Sequence, residues 1–306
     1  MKRFLVMGLS VLVTGAVWAG GNGGSAGAFL ALPSGARSVS MGEGGLAATV
    51  DGNALQINPA AMAGLNRGSI VGTHGAYVDS SFYDNVSYVN PQNKWGAWGV
   101  GFQYFSAGSI DKTDTNGNSD GSLAPNDLAI TGGYARAVGP VKVGGGLKYI
   151  QSTLVNKATT VSMDLGVESR PLLNERLTLG LMGQNLMGSL KYDTESNDLP
   201  RAIKAGAGYK IKKNWTAVAD MTFPKGADSS YSVGTEYRLK IQKPWGVVVR
   251  GGYNTRTSDV GGFTGFSFGI GVDHKDLTVD YAFLPFGDLG TTHWITLGYK
   301  MGAETK

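Results

Sequence analysis

Residues 161–168 read Val161-Ser162-Met163-Asp164-Leu165-Gly166-Val167-Glu168, and this stretch decides the fold. Every odd position is apolar, whereas the even positions include both acidic residues. Successive side chains of a β-strand point to opposite faces, so a strand with this sequence is apolar on one face and charged on the other. The stretch therefore predicts a strand that separates an apolar environment from a polar one.

The same alternation recurs about fourteen times between Ser69 and Met301, in segments of roughly ten residues that are separated by polar breaks. The predicted strands are Ser69–Val78, Phe82–Asn90, Trp95–Phe105, Asp127–Ala137, Val141–Ile150, Thr160–Arg170, Arg176–Gln184, Ala202–Ile211, Trp215–Phe223, Tyr231–Ile241, Trp245–Asn254, Phe263–Val272, Leu277–Phe283 and Thr292–Met301. The first segment alternates least clearly, because its apolar residues do not separate onto one face.

The connections between these strands alternate in length. Turns such as residues 138–140 and 212–214 are brief, whereas the connections Ser106–Asn126 and Asn185–Arg201 are long. Outer-membrane barrels have short periplasmic turns and longer surface loops, and closure leaves no strand edge exposed to lipid. The pattern predicts an all-β fold, a transmembrane antiparallel β-barrel of about 14 strands. A soluble β-sandwich is the alternative.

The start of the chain has the features of an export signal. Lys2 and Arg3 precede a mostly apolar run, and Val17-Trp18-Ala19 offers a cleavage site, so residues 1–19 are predicted to be a signal peptide. Cleavage would leave 306 − 19 = 287 residues with a formal charge of 25 − 23 = +2, which does not indicate a nucleic-acid partner. Together with the barrel pattern, the signal predicts the bacterial outer membrane as the location.

Strand parity also assigns the two faces of the wall. A Lys or Arg on the lipid face near the membrane centre costs roughly 2–4 kcal/mol, so charged residues are expected to collect on the lumen face. The predicted lumen-facing charges are Lys142, Lys148, Asp164, Glu168, Lys204, Asp220, Glu236, Arg238, Arg250 and Asp280. Both signs are present, which is typical of ion pairs across a filled lumen rather than of a selective ion pathway.

Residues from Phe29 to Leu65 lack strand alternation and form a separate element before the first strand. Within it, Asn58-Pro59-Ala60 has a residue type favoured at helix N-caps followed by one preformed for the first helical position. Two interpretations remain open. The motif is either a simple cap on a short helical turn from Pro59, or an anchor that holds the element inside a polar lumen.

Two segments carry a family resemblance. The first includes Phe29-Leu30, Ala36-Arg37, Met41-Gly42, Asp51 and Asn58-Pro59-Ala60; the second runs from Asp280 to His293 and includes Pro285-Phe286-Gly287. Both resemble PorV/PorQ-type outer-membrane proteins, the second as their closing hairpin. The Asp…Ala…Asn-Pro-Ala portion is shared more widely with FadL-like transporters of fatty acids and hydrocarbons.

The resemblance implies a fourteen-stranded barrel whose N-terminal segment packs inside as a plug. The implied organisation is a signal peptide at 1–19, a plug segment at 20–67 and the barrel at 68–306. Carried over from the family, the plug or gating residues are Arg37, Met41, Gly42, Asp51, Asn58 and Pro59, and the closing-hairpin residues are Pro285, Phe286, Gly287, Gly290 and His293. The chain departs from the family at Trp294, where arginine is frequent, and in residues 300–306, which extend past the last aromatic residue.

The sequence gives no indication of catalysis. The three histidines, His74, His274 and His293, are not placed beside an evident serine nucleophile, so we expect no enzymatic activity. The run from Asp114 to Asp120 resembles the start of a calcium-binding loop, but its glycine is at the fourth position instead of the sixth, and the twelfth residue is Pro125 instead of Glu. We therefore predict neither a metal nor another cofactor.

Three functions follow as hypotheses. The family resemblance implies a barrel that receives or holds exported protein in a type IX-like secretion system, with secretion-machinery proteins or cargo as partners. The FadL-like portion implies a passive transporter of hydrophobic small molecules. A structural outer-membrane protein is the third hypothesis. In each case the predicted surroundings are outer-membrane lipid.

Overall fold

A computed structural model describes residues 25–92, 95–114, 118–239, 241–257 and 264–302. The predicted signal peptide lies outside these residues. The strands are β1 (Gly68–Ala76), β2 (Phe82–Gln92), β3 (Gly96–Ser106), β4 (Ile110–Thr113), β5 (Ser119–Leu123), β6 (Asn126–Val138), β7 (Val141–Thr153), β8 (Lys157–Ser169), β9 (Leu177–Gln184), β10 (Ser189–Lys191), β11 (Ser196–Asp198), β12 (Ala202–Lys212), β13 (Trp215–Pro224), β14 (Ser230–Leu239), β15 (Trp245–Asn254), β16 (Phe266–His274), β17 (Leu277–Pro285) and β18 (Thr291–Met301). Short α-helices α1 (Ala36–Val39) and α2 (Ala54–Ile57) precede β1, together with 3₁₀-helices at Ala28–Ala31 and Pro59–Gly64; two more 3₁₀ turns lie at Thr255–Thr257 and Gly287–Leu289.

Fourteen of the strands form one closed antiparallel barrel, in the order β1-β18-β17-β16-β15-β14-β13-β12-β9-β8-β7-β6-β3-β2. The barrel closes where β1 pairs with β18, from Gly68 opposite Met301 to Ala76 opposite His293. The predicted fold is confirmed, and each predicted strand is found with ends shifted by at most three residues. In the described part of the chain, no helix has the length and apolarity to cross a membrane.

The wall has the two faces that alternation predicts. On β8, Val161 and Leu165 point outward and are 58% and 47% exposed, whereas Asp164 between them is completely buried. Aromatic side chains lie near both edges of the outer face: Trp215 and Trp245 begin β13 and β15, and Phe223 lies near the end of β13. An apolar outer band bordered by aromatic residues is the surface of a barrel that spans a membrane.

The barrel has two unlike ends. We name the end that carries the turns at 139–140, 170–176, 213–214 and 275–276 the turn end, and the opposite end the loop end. The sequence did not indicate that the long loops contain strands of their own. Residues 107–125 hold the hairpin β4–β5, and residues 185–201 hold the hairpin β10–β11.

One seam of the wall is shorter than its neighbours. Strand β8 pairs with β7 over thirteen residue pairs, but with β9 over only four, from Leu165 opposite Gly183 to Glu168 opposite Gly180. Beyond Gln184 the chain leaves the ladder, and the Leu186 N–H donates to the Met163 carbonyl at 2.9 Å. Residues 185–188 thus cover an edge of β8 that no barrel strand pairs.

Candidate functional site

Residues 28–65, which we name the lumen segment, lie inside the barrel. The evidence is the set of strands that the segment reaches: the Ala36 N–H donates to Thr296 on β18, Arg37 pairs with Glu236 on β14, and Asn58 Nδ2 donates to the Val167 carbonyl on β8. These strands are far apart around the closed ring. A segment that contacts all of them must occupy the space they enclose.

Near the loop end, the lumen is filled by an apolar layer. Phe29, Leu30 and Val39 of the lumen segment are buried against the inward-facing Trp294 and a surrounding set of side chains. That set comprises Tyr83, Ala129, Ile150, Ala158, Leu190, Leu199, Ala282, Leu284 and Phe286. Because Leu190 lies in β10 and Leu199 directly follows β11, this hairpin packs on the lumen segment. The Ala26 N–H also donates to the Asp198 carbonyl at 3.1 Å.

Nearer the turn end lies an ionic layer, formed by Arg37, Glu236, Arg250 and Asp280. Arg37 Nε is 2.8 Å from Glu236 Oε2, Arg250 Nε is 2.7 Å from the same oxygen, and Arg250 Nη1 is 2.7 Å from Asp280. Arg37 also donates to the Ala48 carbonyl at 2.8 Å. Burial alone would lower the pKa of Arg37, but the facing carboxylate of Glu236 raises it above its ordinary value. Arg37 therefore stays charged and ties the lumen segment to β14.

Asp220 and Asn58 make two further anchors. Asp220 Oδ2 accepts from the Gly45 N–H at 2.6 Å and from the Leu46 N–H at 2.9 Å. Asn58 is fully buried; its Oδ1 accepts from the Ala60 N–H at 3.2 Å, and its Nδ2 donates to the Leu46 carbonyl at 3.3 Å. Asn58 thus caps the 3₁₀-helix at Pro59 and also joins two parts of the lumen segment to the wall, so both interpretations of the motif describe real contacts.

Inward-facing glycines let the backbone of the lumen segment approach the wall. A Cβ at Gly252 would overlap the Gly42 nitrogen, one at Gly234 would overlap the Met41 carbonyl, and one at Gly269 would overlap Ser40. Likewise, a Cβ at Gly144 would overlap Pro59, and a Cβ at Gly166 would overlap Asn58. By contrast, Cβ atoms at the outward-facing Gly72 and Gly132 would meet nothing within 4 Å. We name the inward set Gly144, Gly166, Gly234, Gly252 and Gly269 the glycine cradle.

The other predicted plug residues have different environments. Met41 is fully buried, and Gly42, with φ of 71°, donates its N–H to Ser267 at 2.9 Å. Asp51 forms no ion pair among the described residues, and its Oδ1 accepts from the Asn53 N–H at 2.9 Å. The local turn into α2 satisfies this carboxylate.

The remaining predicted lumen charges form separate pairs. Lys142 pairs with Glu168, and Lys148 lies 2.7 Å from Asp164 and donates to Asn185 at 2.9 Å. At the mouth of the turn end, the half-exposed Arg238 pairs with Asp273. Lys204 is half-buried and forms no ion pair within the described ranges. Nine of the ten predicted lumen charges thus belong to local pairs or anchors, Lys204 being the exception, and the ten do not form a single ring.

The closing hairpin joins β17 to β18 at the loop end. Phe286 belongs to the apolar layer, and its N–H donates to the Gly290 carbonyl at 2.8 Å, which closes the turn. Pro285 ends β17, and Gly287 and Gly290 have positive φ of 58° and 102°. His293 lies on the outer face, where its Nδ1 is 2.7 Å from the Tyr281 hydroxyl. The hairpin therefore contributes to the apolar layer through Phe286, not through His293.

A cavity of about 70 Å³ borders the ionic layer and extends to the turn end. Its lining includes Arg37, Asp51, Arg238, Asp280 and Lys300. The cavity can hold water but not a large solute. Among the described residues, no cluster of His, Asp or Glu is suited to a metal ion. The arrangement is chemically that of a lumen closed by a tethered segment.

Sequence reasoning missed the most informative signal for this site. Glycines of the cradle all have the parity of the lumen face, which marks a close approach of another backbone. Asn185 was also missed; its side chain accepts from Lys148, and its N–H donates to Asp164 at 2.8 Å. No local pattern distinguishes it from other asparagines of a polar loop.

Comparison with known proteins agrees with this architecture. The solved toluene transporter TodX of Pseudomonas putida superposes with a TM-score of 0.59 at 14% identity, covering 88% of this chain and 98% of that chain. A FadL homologue of Pseudomonas aeruginosa gives a TM-score of 0.58 at 11% identity, covering 89% and 99%. At these identities the likeness shows the fold alone. No curated protein sequence matches the chain.

A family model described as type IX secretion system protein PorV matches residues 23–219. This range includes the whole lumen segment and the strands from β1 to the middle of β13. The match covers 197 of the 306 residues. The chain therefore belongs to the PorV family.

Proposed function

We propose that the protein is a non-enzymatic barrel of the bacterial outer membrane that receives or holds exported protein, as part of a type IX-like secretion system. The family match carries this proposal. The filled lumen supports it, because a barrel whose interior is occupied by a tethered segment is better suited to present its outer surfaces to partners than to conduct solutes. In this role, residues 20–67 act as the plug and residues 68–306 as the supporting wall.

The loop end would be the place where exported protein is met. The orientation follows from the short turns, which face the periplasm in outer-membrane barrels. The hairpins β4–β5 and β10–β11 then lie at the cell surface, and the second is fixed by its packing on Leu30. A photo-crosslinker at Lys112 or Lys191 tests this in native membranes. Crosslinks to secreted or secretion-machinery proteins are expected, with a crosslinker at the turn-end residue Asn174 as the matched control.

A second candidate function is passive transport of hydrophobic small molecules. The short β8–β9 seam favours it, because residues 185–188 replace a barrel strand beside the apolar layer and could move without breaking a ladder. The solved structures with this fold include toluene transporters. Removal of the protein from cells distinguishes the two functions. Loss of surface-attached protein with unchanged uptake of labelled toluene or fatty acid supports the secretion role. Reduced uptake with unchanged surface-attached protein supports passive transport.

A further inference from the structure

The turn end carries exposed basic side chains that form no ion pair among the described residues. Within the described ranges, seven such residues that do not have the lumen-facing parity of a strand form no ion pair, and we name them the basic collar: Arg136, Arg170, Arg176, Lys212, Lys213, Lys243 and Lys275. Two more cations at this end, Arg67 and Arg238, are paired with Asp276 and Asp273. Glu175 is the one exposed acid of the described turn end that lacks an ion pair. The collar therefore has a large excess of positive charge.

The loop end has the opposite charge. Its described exposed acids are Asp79, Asp111, Asp114, Asp120, Asp193, Glu195, Asp198, Asp228 and Asp288, against the exposed bases Lys112, Lys157, Lys191, Lys225 and Arg256. Because the whole chain has a formal charge of only +4, the collar reflects where charges are placed and not a basic composition. Unpaired like charges repel one another, so an arrangement of this kind favours a surface of opposite charge.

The distribution of the collar distinguishes between kinds of partner. Its residues lie at the ends of β6 and β12 and in the β8–β9, β12–β13, β14–β15 and β16–β17 turns. They therefore surround most of the barrel circumference instead of forming a patch on one side. A globular acidic partner would contact one side, whereas lipid head groups surround a barrel on every side.

The neighbouring aromatic residues place the collar at the level of the head groups. Lys213 and Lys243 precede the outward-facing Trp215 and Trp245 by two residues. Trp and Tyr on the outer face of a membrane protein lie at the boundary between hydrocarbon and head groups. Basic side chains next to them reach toward the phosphates while their methylene groups remain beside apolar surface.

We propose that the basic collar binds a ring of anionic phospholipid head groups in the leaflet that faces the periplasm. The proposal depends on the membrane orientation of the barrel, not on whether the protein handles cargo or small molecules. Clusters of Lys and Arg at a membrane boundary bind anionic lipid, and each basic group strengthens binding by about fivefold. Phosphatidylglycerol is a suitable probe, and phosphatidylcholine with the same acyl chains is its zwitterionic control.

The test uses the folded full chain in detergent, with bound lipids counted by native mass spectrometry in mixed micelles. The triple variant Lys212→Gln/Lys213→Gln/Lys275→Gln removes collar charges, and Lys112→Gln/Lys157→Gln/Lys191→Gln removes three exposed lysines of the loop end. We expect preferential binding of phosphatidylglycerol by the parent and the loop-end variant. We expect a loss of about tenfold or more in the collar variant, and weaker binding in 0.5 M salt because exposed charges are screened.

Equal binding of the two lipids, or equal losses in the two variants, would overturn the proposal. Displacement of phosphatidylglycerol by inorganic phosphate at millimolar concentration would also overturn it, since that result indicates a phosphate pocket. Preferential binding of soluble polyglutamate would assign the collar to an acidic protein instead. Folding of each variant is checked by its heat-modifiable mobility in gels. If the collar triple does not fold, Lys243→Gln and Lys275→Gln are measured singly, each with an expected loss of about fivefold.

Discussion

The apolar layer and the ionic layer hold the same lumen segment by different physical means. Near the loop end, Phe29 and Leu30 pack against Trp294 and the β10–β11 hairpin without directional bonds. Nearer the turn end, Arg37 shares Glu236 with Arg250, so its position is fixed by geometry. Apolar burial supplies most of the stabilisation of a packed interior, whereas buried ion pairs contribute more to register than to stability. The difference implies that the first layer excludes water and the second sets the position of the segment.

The largest expected effect comes from removing both layers at once. Deleting Phe29–Leu65 while keeping the strands leaves a fourteen-stranded wall with nothing inside, and only barrels of about eight strands are filled by their own side chains. We expect large, steady conductance of the deletion variant in planar bilayers and very low conductance of the parent. Heat-modifiable mobility shows whether the variant has folded. A folded deletion variant that conducts no more than the parent would mean that the lumen segment does not close the pore.

Trp294→Ala tests the apolar layer alone. Trp294 is completely buried, lies over Gly75, and contacts Tyr83 with ring centroids 5.6 Å apart. Truncation leaves a cavity and should lower the free energy of unfolding by about 3–5 kcal/mol. The matched control is Ile295→Ala, because Ile295 faces outward and lipid fills the space it leaves. Only the transfer loss of about 2 kcal/mol is expected there, with no added cost for a cavity. Urea unfolding in lipid vesicles measures both, and equal losses would contradict the assignment of the layer.

Arg37→Ala tests the ionic layer. Glu236 would keep its 2.7 Å contact with Arg250, so the loss in unfolding free energy should be about 1–3 kcal/mol, less than for a buried pair left with no partner. Because the position of the segment is affected more than its burial, we expect brief openings in bilayer recordings. Arg238→Ala removes an exposed pair at the mouth and should change stability by at most about 1 kcal/mol. Steady openings in Arg37→Ala would assign closure to this layer alone.

The two layers also differ in how far sequence could predict them. The wall was readable from local alternation, since the faces of a strand such as β8 depend only on parity. The pairing of Arg37 with Glu236 could not be predicted in this way, because the two residues are 199 positions apart and several other inward-facing acids were possible partners for Arg37. Trp294 was noticed only as a departure from the family. Its role depends on Gly75 and Tyr83, which face it only after the barrel has closed.

The β10–β11 hairpin also could not be predicted from local sequence. Residues 185–201 are polar and rich in turn-forming types, so the sequence favours a plain loop. Their hairpin exists together with the burial of Leu190 and Leu199 in the apolar layer, which is a tertiary contact. The glycine cradle was only partly available from sequence. Its glycines have the parity of the lumen face, as expected where another backbone approaches, but Gly145 and Gly251 on the same strands have the opposite parity.

Among the tests of the lumen segment, the smallest loss of unfolding free energy is expected at Asn58, which belongs to neither the apolar layer nor the ionic layer. Asn58→Ala removes the cap on Ala60 and the bonds to Leu46 and Val167, and should cost about 1 kcal/mol. Asn58→Asp keeps the accepting oxygen of the cap, but it places a fully buried carboxylate against the Leu46 and Val167 carbonyls, so it should be more destabilising than Asn58→Ala. A Cβ at Gly166 would overlap Asn58 Oδ1, and Gly166→Ala should therefore be destabilising by itself. In the Asn58→Ala background that overlap disappears, so we expect the double variant to be more stable than the sum of the single losses predicts, by about 0.5 kcal/mol or more. Strictly additive losses in urea unfolding would mean that Asn58 does not contact β8 at this point.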